Sequence, residues 1–137
     1  MARILGIDYG ERRIGLAVSD PTYLIAQPLT TIIRRDSEVW WNELAAIIAE
    51  QEVEAIVVGY PRTLKGSASH QTQVVDQFIT RLQERESLPI YRFDERLTSV
   101  AARRALQQQG IKTGHRKEAV DRTAAALMLQ DYLDSQR

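Results

Sequence analysis

The chain has 137 residues, of which 44% are hydrophobic, and its 18 acidic side chains balance its 18 basic ones. This length and composition are typical of a soluble globular protein, and we expect one domain spanning residues 1–137. Cysteine is absent, which excludes disulfides and thiolate metal sites; with no membrane span or signal peptide in the sequence, we expect a cytoplasmic protein without a membrane partner.

The N-terminal segment predicts three strands. Two apolar runs, one containing Ile4, Leu5 and Ile7 and the other spanning Ile14 to Val18, flank the turn sequence YGERR and predict a β-hairpin. A third strand is expected from about residue 25 to residue 33, where Pro28 indicates a sheet edge or a bulge. Strands joined by such short connections pair antiparallel.

The rest of the chain alternates between helical and strand patterns. DSEVWWNELAAIIAE predicts an amphipathic helix with one of Trp40 and Trp41 in the core and the other partly exposed. EAIVVGYP predicts a strand buried on both faces. QTQVVDQFITRLQER predicts a second helix, LPIYRF a fifth strand, and TSVAARRALQQQG and RKEAVDRTAAALMLQDYLD two final helices. The order β-β-β-α-β-α-β-α-α implies an α/β fold whose mixed five-stranded sheet has three antiparallel strands, then two parallel ones, with helices on its faces.

Carboxylates recur where this fold would bring them together. Asp8 ends the first predicted strand, Asp94 and Glu95 follow the fifth, and Asp121 lies one turn into the last helix. Three converging carboxylates repel one another unless some are protonated or a cation neutralises them. Oxygen ligands favour Mg²⁺ or Mn²⁺, and two such ions can activate a water and stabilise the leaving oxygen of a phosphodiester.

Each acid also has a purely structural explanation. Asp8 can cap the following turn with its side chain. Asp94 and Glu95 can pair with neighbouring arginines, and Asp94 looks more like a turn or orienting residue than a ligand. Asp121 can be a favourable acid near a helix N-terminus. The residues taken one at a time therefore leave the metal site and the structural roles both open.

Four segments, GIDYGERRIGLAVSD, IVVGYPRTLKGSAS, DERLTS and KEAVDRTAAALML, resemble in order and spacing the motifs of the bacterial YqgF/RuvX family. That family belongs to the RNase H-like, Holliday-junction-resolvase-like superfamily. The resemblance implies an RNase H-like fold and a metal-dependent nuclease, a hydrolase acting on ester bonds. By position it implies catalytic and metal-binding roles for Asp8, Glu95 and Asp121, and it leaves open whether Asp94 binds metal.

The resemblance also implies the partner. The family is associated with processing the 5′ end of precursor 16S ribosomal RNA in ribosome biogenesis, and it was earlier proposed to resolve Holliday junctions. We therefore expect nucleic acid as the partner, with precursor 16S rRNA favoured and branched DNA as the alternative. A symmetric junction would suit a two-fold dimer, so both a monomer and a homodimer stay open.

Basic residues surround the predicted acidic site. Residues 92 to 122 contain eight Lys or Arg against four acids, and 15 of the 18 basic residues of the chain are arginine, which suits phosphate recognition. Gly10 and Gly15 are expected to let a phosphate or metal approach the backbone, although a plain turn explains Gly10 equally well. Tyr9 is expected to stack on a base. The expected nucleic-acid contacts are Tyr9, Arg62, Lys65, Arg96, Arg103, Arg104, Arg116 and Lys117, with ordinary surface pairing as the alternative for each basic residue.

Two other classes of function fit parts of the sequence. DYGERRIG also resembles the phosphate-binding hairpin of the actin, Hsp70 and sugar-kinase superfamily. Those proteins bind ATP between two such domains, whereas this chain has length for one domain and lacks the second glycine-rich hairpin. The other class is a non-catalytic RNA-binding module, whose affinity for RNA would not depend on Mg²⁺ or on the three acids.

Overall fold

The computed structural model describes residues 2–35, 38–60, 70–94 and 114–137. Within them a five-stranded sheet has helices on both faces. None of the described helices is both long and apolar enough to cross a membrane. The strands are β1 (Arg3–Tyr9), β2 (Arg13–Ser19), β3 (Ala26–Ile33), β4 (Val53–Tyr60) and β5 (Ile90–Asp94), and the helices are α1 (Val39–Glu50), α2 (His70–Arg85) and α3 (Gly114–Ser135).

The strands lie in the order β3-β2-β1-β4-β5. β2 pairs antiparallel with both β1 and β3, whereas β4 pairs parallel with both β1 and β5. The predicted mixed sheet is confirmed, and β1, β4 and β5 all end at the same edge of it. The helix expected over residues 98–110 lies outside the described residues.

Both roles suggested for Pro28 are observed. β3 is an edge strand, and its register shifts between Leu16, opposite Thr30, and Ala17, opposite Pro28. Proline has no N–H to donate to a ladder, so a sheet tolerates it at an edge or at a bulge.

The two faces of the sheet are built from side chains of different size. One face, here called the α1/α2 face, packs large residues such as Leu5, Ile7 and Leu16 against α1 and α2. The opposite face, here called the α3 face, has small residues: Gly6 is paired with Ala17. A Cβ on Gly6 would lie 2.9 Å from the Cβ of Leu129 in α3, so this helix sits unusually close to the sheet.

Both tryptophans of α1 are buried, and the expectation that one would be partly exposed is wrong. Trp40 is 6% exposed and Trp41 is 5% exposed. The guanidinium groups of Arg81 and Arg85 lie 5.2 Å and 4.5 Å from the Trp41 ring centroid, and both arginines form ion pairs with Glu38. Long arginine side chains cover an aromatic ring that helix periodicity alone would leave at the boundary.

The β2–β3 connection is organised by the side chain of Asp20. Its carboxylate accepts hydrogen bonds from the backbone N–H groups of Thr22, Leu24 and Ile25 at 3.1, 2.8 and 2.8 Å, and from the Thr22 hydroxyl. The hydrogen bonds, led by those from Ile25 and from the Thr22 hydroxyl, hold the pKa of the Asp20 carboxyl well below its usual range. The ionised form is therefore the one that stabilises this connection.

We expect Asp20→Asn to lower the melting temperature at pH 7 and to matter progressively less in acid. Because the pKa of Asp20 is lower in the folded chain than in the unfolded one, its stabilisation is present above the unfolded pKa, about 3.9, and is lost as the pH falls toward the folded pKa. Thermal unfolding followed by circular dichroism at pH 7, 5 and 3 measures the difference from the wild type. Glu11→Gln, in an exposed turn residue, is the control, and a difference for Asp20→Asn that does not shrink in acid contradicts the assignment.

Candidate metal and nucleic-acid site

Asp8 lies on the α3 face, one residue before the end of β1. Its neighbours Ile7 and Tyr9 pack against the α1/α2 core, so strand alternation places Asp8 on the same side as Gly6. The side chain is half-buried, and its partner directly across the ladder is Gly15 of β2. Asp8 therefore stands at the edge where the parallel strands end, beneath the helix that covers this face.

α3 crosses β2 at Gly15. A Cβ on Gly15 would lie 2.0 Å from the carbonyl oxygen of Asp121 and 2.4 Å from its carbonyl carbon, so only glycine permits this contact. Residues directly opposite in an antiparallel pair have their Cβ positions about 5 Å apart. Since Asp8 is opposite Gly15, the contact brings the helix segment that contains Asp121 to the side of Asp8.

The glycines of the hairpin have a different role from the expected one. The space over Gly15 is filled by the Asp121 backbone, and a Cβ on Gly10 would lie 2.6 Å from the carbonyl oxygen of Arg13. The Gly10 N–H donates to that same oxygen at 3.0 Å. At Gly15 the expected approach of a phosphate or metal to the backbone is therefore wrong, because α3 fills that space, and at Gly10 the alternative of a plain turn glycine is observed.

Side chains of β2 and β3 hold the N-terminal part of α3 on the sheet. The Arg13 Nε donates to the Asp121 Oδ2 at 2.5 Å, with 29% of the Arg13 side chain and 16% of the Asp121 side chain exposed. The Thr31 hydroxyl of β3 donates to the carbonyl oxygen of Glu118 at 2.6 Å. Arg13 was not predicted from the sequence, although one signal was present: Arg13 shares the α3 face of β2 with Gly15 and Ala17, where an apolar residue is usual.

Arg34 fixes the turn that follows Asp8. Its Nη1 donates to the carbonyl oxygens of Gly10 and Glu11 at 2.9 and 2.8 Å. The same guanidinium lies 4.5 Å from the ring centroid of Tyr9. Arg34 therefore holds the turn through two carbonyl oxygens while it packs over the half-buried ring of Tyr9. Arg34 was not predicted from the sequence.

Tyr9 packs against α2. Its ring stacks on Phe78 of α2, with the two centroids 4.1 Å apart, on the face of the sheet opposite Asp8. Burial raises the pKa of the Tyr9 hydroxyl, with the charges of Arg34 and Arg81 opposing the shift. Strand alternation turns consecutive side chains to opposite faces, so the predicted contact between Tyr9 and a base would lie on the other side of the sheet from Asp8, and it stays a prediction.

Asp94 is also turned away from Asp8. It is the last residue of β5 and pairs with Tyr60 of β4. Phe93 packs on the α3 face and Ile90 against the α1/α2 core, so alternation places Asp94 on the α1/α2 face. Asp94 is thus separated from Asp8 and Asp121 by the sheet.

The structure brings together two of the three predicted acids. Within residues 2–35, 38–60, 70–94 and 114–137 no group of three or more metal-ligating side chains occurs. Asp8 and Asp121 supply carboxylate oxygens, which suit Mg²⁺ or Mn²⁺ and not a soft metal. Arg116 and Lys117 lie in the first turn of α3. The predicted residues outside the described part of the chain are Glu95, Arg62, Lys65, Arg96, Arg103 and Arg104.

The family model and the relatives found by sequence both point to one family. The family model RuvX, described as Holliday junction resolvase, matches residues 2–135. A relative from Chloroflexus aggregans is 45% identical over 98% of this chain and 94% of its own length. One from Roseiflexus sp. is 43% identical over 98% of this chain and 96% of its own. Both are named "putative pre-16S rRNA nuclease".

Solved structures share the fold at much lower identity. RuvC of T. thermophilus in complex with a Holliday junction substrate is 16% identical, with a TM-score of 0.55 over 99% of this chain and 96% of that one. The fowlpox virus Holliday junction resolvase is 15% identical, with a TM-score of 0.55 over 98% of this chain and 99% of that one. The predicted RNase H-like architecture is confirmed at the level of the fold.

Proposed function

The chain belongs to the RuvX family, and on that premise we propose that it is a nuclease that hydrolyses phosphodiester bonds at the 5′ end of precursor 16S rRNA in the cytoplasm. One observation carries the proposal. The backbone of Asp121 rests on Gly15, directly across the ladder from Asp8. This contact supports a shared site at the carboxyl edge of the parallel strands for two acids that are 113 positions apart in the sequence.

We assign the metal site to Asp8, Asp121 and Glu95. Glu95 directly follows Asp94, the last residue of β5, in the sequence. Three carboxylates suit one or two Mg²⁺ or Mn²⁺ ions, and two ions would suit phosphodiester hydrolysis, in which a water oxygen attacks phosphorus and an ester oxygen leaves. A bound divalent cation supplies Lewis acidity, which lowers the pKa of water and offsets the charge of the phosphate.

The side chains of the protein hold Asp121 in place and provide positive charge for the phosphates. Gly15, Arg13 and Thr31 hold α3 on the hairpin, so Asp121 has a defined place beside Asp8. α3 begins at Gly114, about two turns before Asp121, and we propose that its positive end and the basic residues of its first turn, Arg116 and Lys117, favour bound phosphate. We propose Arg62, Lys65, Arg96, Arg103 and Arg104 as further phosphate contacts that reduce repulsion between the substrate and the acidic site.

A Holliday-junction resolvase is the second candidate, because the matching family model has that description. The chemistry at phosphorus would be the same for both substrates. A non-catalytic RNA-binding module is the candidate from another class. The three candidates differ in which nucleic acid is cut and in whether anything is cut at all.

A cleavage assay separates these candidates. The substrates are a 16S rRNA fragment with a 5′ extension, the same fragment without it, and a four-way DNA junction, each in Mg²⁺, in Mn²⁺ and in EDTA. We expect metal-dependent removal of the extension and no cut in the fragment that lacks it. Cleavage of the junction alone reassigns the substrate. RNA binding without cleavage in either metal, unchanged by EDTA, overturns the nuclease.

A further inference from the structure

Arg13 uses only part of its hydrogen-bonding capacity. A guanidinium has five donors in a planar fork. Arg13 donates from Nε to the Asp121 Oδ2, and its Nη1 and Nη2 make no hydrogen bond to any residue in the described ranges. The side chain is 29% exposed, so the edge of the group that carries both Nη atoms is accessible.

Asp121 is engaged on one oxygen only. Its Oδ2 accepts from Arg13, and its Oδ1 accepts no hydrogen bond from the part of the chain that the structure describes. A carboxylate held through one oxygen by a cationic donor presents the other oxygen in a defined direction. Hydrogen bonds of this kind orient metal-ligating carboxylates in proteins.

Arg13 also lies close to the acidic site. It begins β2, faces α3, and stands two residues before Gly15, which is opposite Asp8. A guanidinium edge with two free N–H donors matches two oxygens of one phosphate. A phosphate bound there would lie next to the acidic site and would neutralise the charge of Arg13 at the same time.

We propose that Arg13 is a positioning residue that also binds substrate: Nε orients Asp121 so that Oδ1 faces the divalent cation, while Nη1 and Nη2 bind a phosphate of the nucleic acid beside the scissile bond. The proposal rests on the proposed nuclease function and deepens it. It makes cation binding and phosphate binding depend on one side chain. Lysine can keep the phosphate contact but cannot also orient Asp121, because a single ammonium does not present two separate donor edges.

The first test is Mn²⁺ binding without nucleic acid, measured by calorimetry on the full chain. We expect Arg13→Met and Arg13→Lys each to bind Mn²⁺ about 10-fold more weakly than the wild type, the loss typical of removing a residue that orients a ligand. Arg12→Met is the matched control, since it removes the same charge from an exposed neighbour that makes no hydrogen bond or ion pair with Asp121 in the described part of the chain. Unchanged or tighter binding in the Arg13 variants overturns the positioning role.

The second test is binding of the 5′-extended 16S fragment in EDTA at several salt concentrations. We expect Arg13→Met to reduce the slope of log K against log salt by about 0.7 to 0.9, equivalent to one phosphate contact, and Arg13→Lys to retain the slope. An equal reduction in Arg12→Met means a general charge effect and overturns the phosphate contact. Melting temperatures identify any variant that fails to fold. If Arg13→Met fails to fold, the Mn²⁺ affinity of Arg13→Lys alone tests the positioning role.

The outcomes distinguish this proposal from the nuclease function. If the wild type binds no Mn²⁺ and cuts nothing, the nuclease function fails. If the wild type binds Mn²⁺ and cuts while the Arg13 variants behave like Arg12→Met, only the assignment of Arg13 fails.

Discussion

Asp8→Asn is expected to reduce metal-dependent cleavage by at least about 100-fold. Asparagine has the same shape but lacks the negative charge that a hard cation needs, and even residues that only orient metal ligands contribute about 10- to 100-fold. Asp8 is half-buried at the end of β1, and an isosteric change there leaves the strand pairing in place. The measurement is the single-turnover rate in saturating Mg²⁺, with the far-UV circular dichroism spectrum as the check on folding.

Asp94→Asn is the matched control for Asp8→Asn. It makes the same chemical change at the end of β5, which ends at the same edge of the sheet as β1, but on the α1/α2 face. We expect it to cleave at close to the wild-type rate. Undiminished cleavage by highly purified Asp8→Asn removes Asp8 from the metal site, and an equal loss in both variants shows that the effect is not specific to the α3 face.

Gly15→Ala is expected to cost at least about 3 kcal/mol in the free energy of unfolding and to slow cleavage by about 100-fold. The added Cβ would lie 2.0 Å from the Asp121 carbonyl oxygen and 2.4 Å from its carbonyl carbon. No side-chain rotation relieves a clash with backbone, so α3 has to move away from β2, at a cost in the upper part of the range for overpacking. A shift of about 1 Å in a reacting group is enough for a 100-fold loss in rate. Urea unfolding and single-turnover cleavage measure the two effects.

Leu82→Ala is the control that separates an effect on stability from an effect on the position of α3. Leu82 is 1% exposed in α2, on the opposite face of the sheet, and its truncation should cost about 2 to 5 kcal/mol. We expect this variant to cleave normally at a temperature where it is still folded, whereas Gly15→Ala remains slow there. A Gly15→Ala protein with normal stability and normal activity contradicts the close packing of α3 on β2.

Much of the fold follows from local sequence patterns. Alternation and turn residues predict the hairpin, and the β-branched run at Val57 and Val58 predicts a strand buried on both faces; both of these residues are fully buried. Periodicity also predicts the last helix, which is observed over Gly114–Ser135. These patterns are informative because strand and helix periods are set by backbone geometry within a few residues.

Errors arose where a side chain depends on partners far away in the chain. The stacking of the Tyr9 ring on Phe78 of α2 was not predicted from the sequence. One of Trp40 and Trp41 was expected to be partly exposed, but arginines 40 or more positions after Trp41 lie over its ring. Neither partner can be read from neighbouring residues, because packing against a second element decides which boundary residues are buried.

The sequence by itself determined the sheet, its strand directions and the residue types suited to a hard cation. Only the tertiary structure decided that Gly15 seats α3, and that Arg13 pairs with Asp121 across 108 positions of the chain. The physical reason is that periodicity reports which face a residue occupies, whereas a van der Waals contact or an ion pair requires knowing what lies over that face.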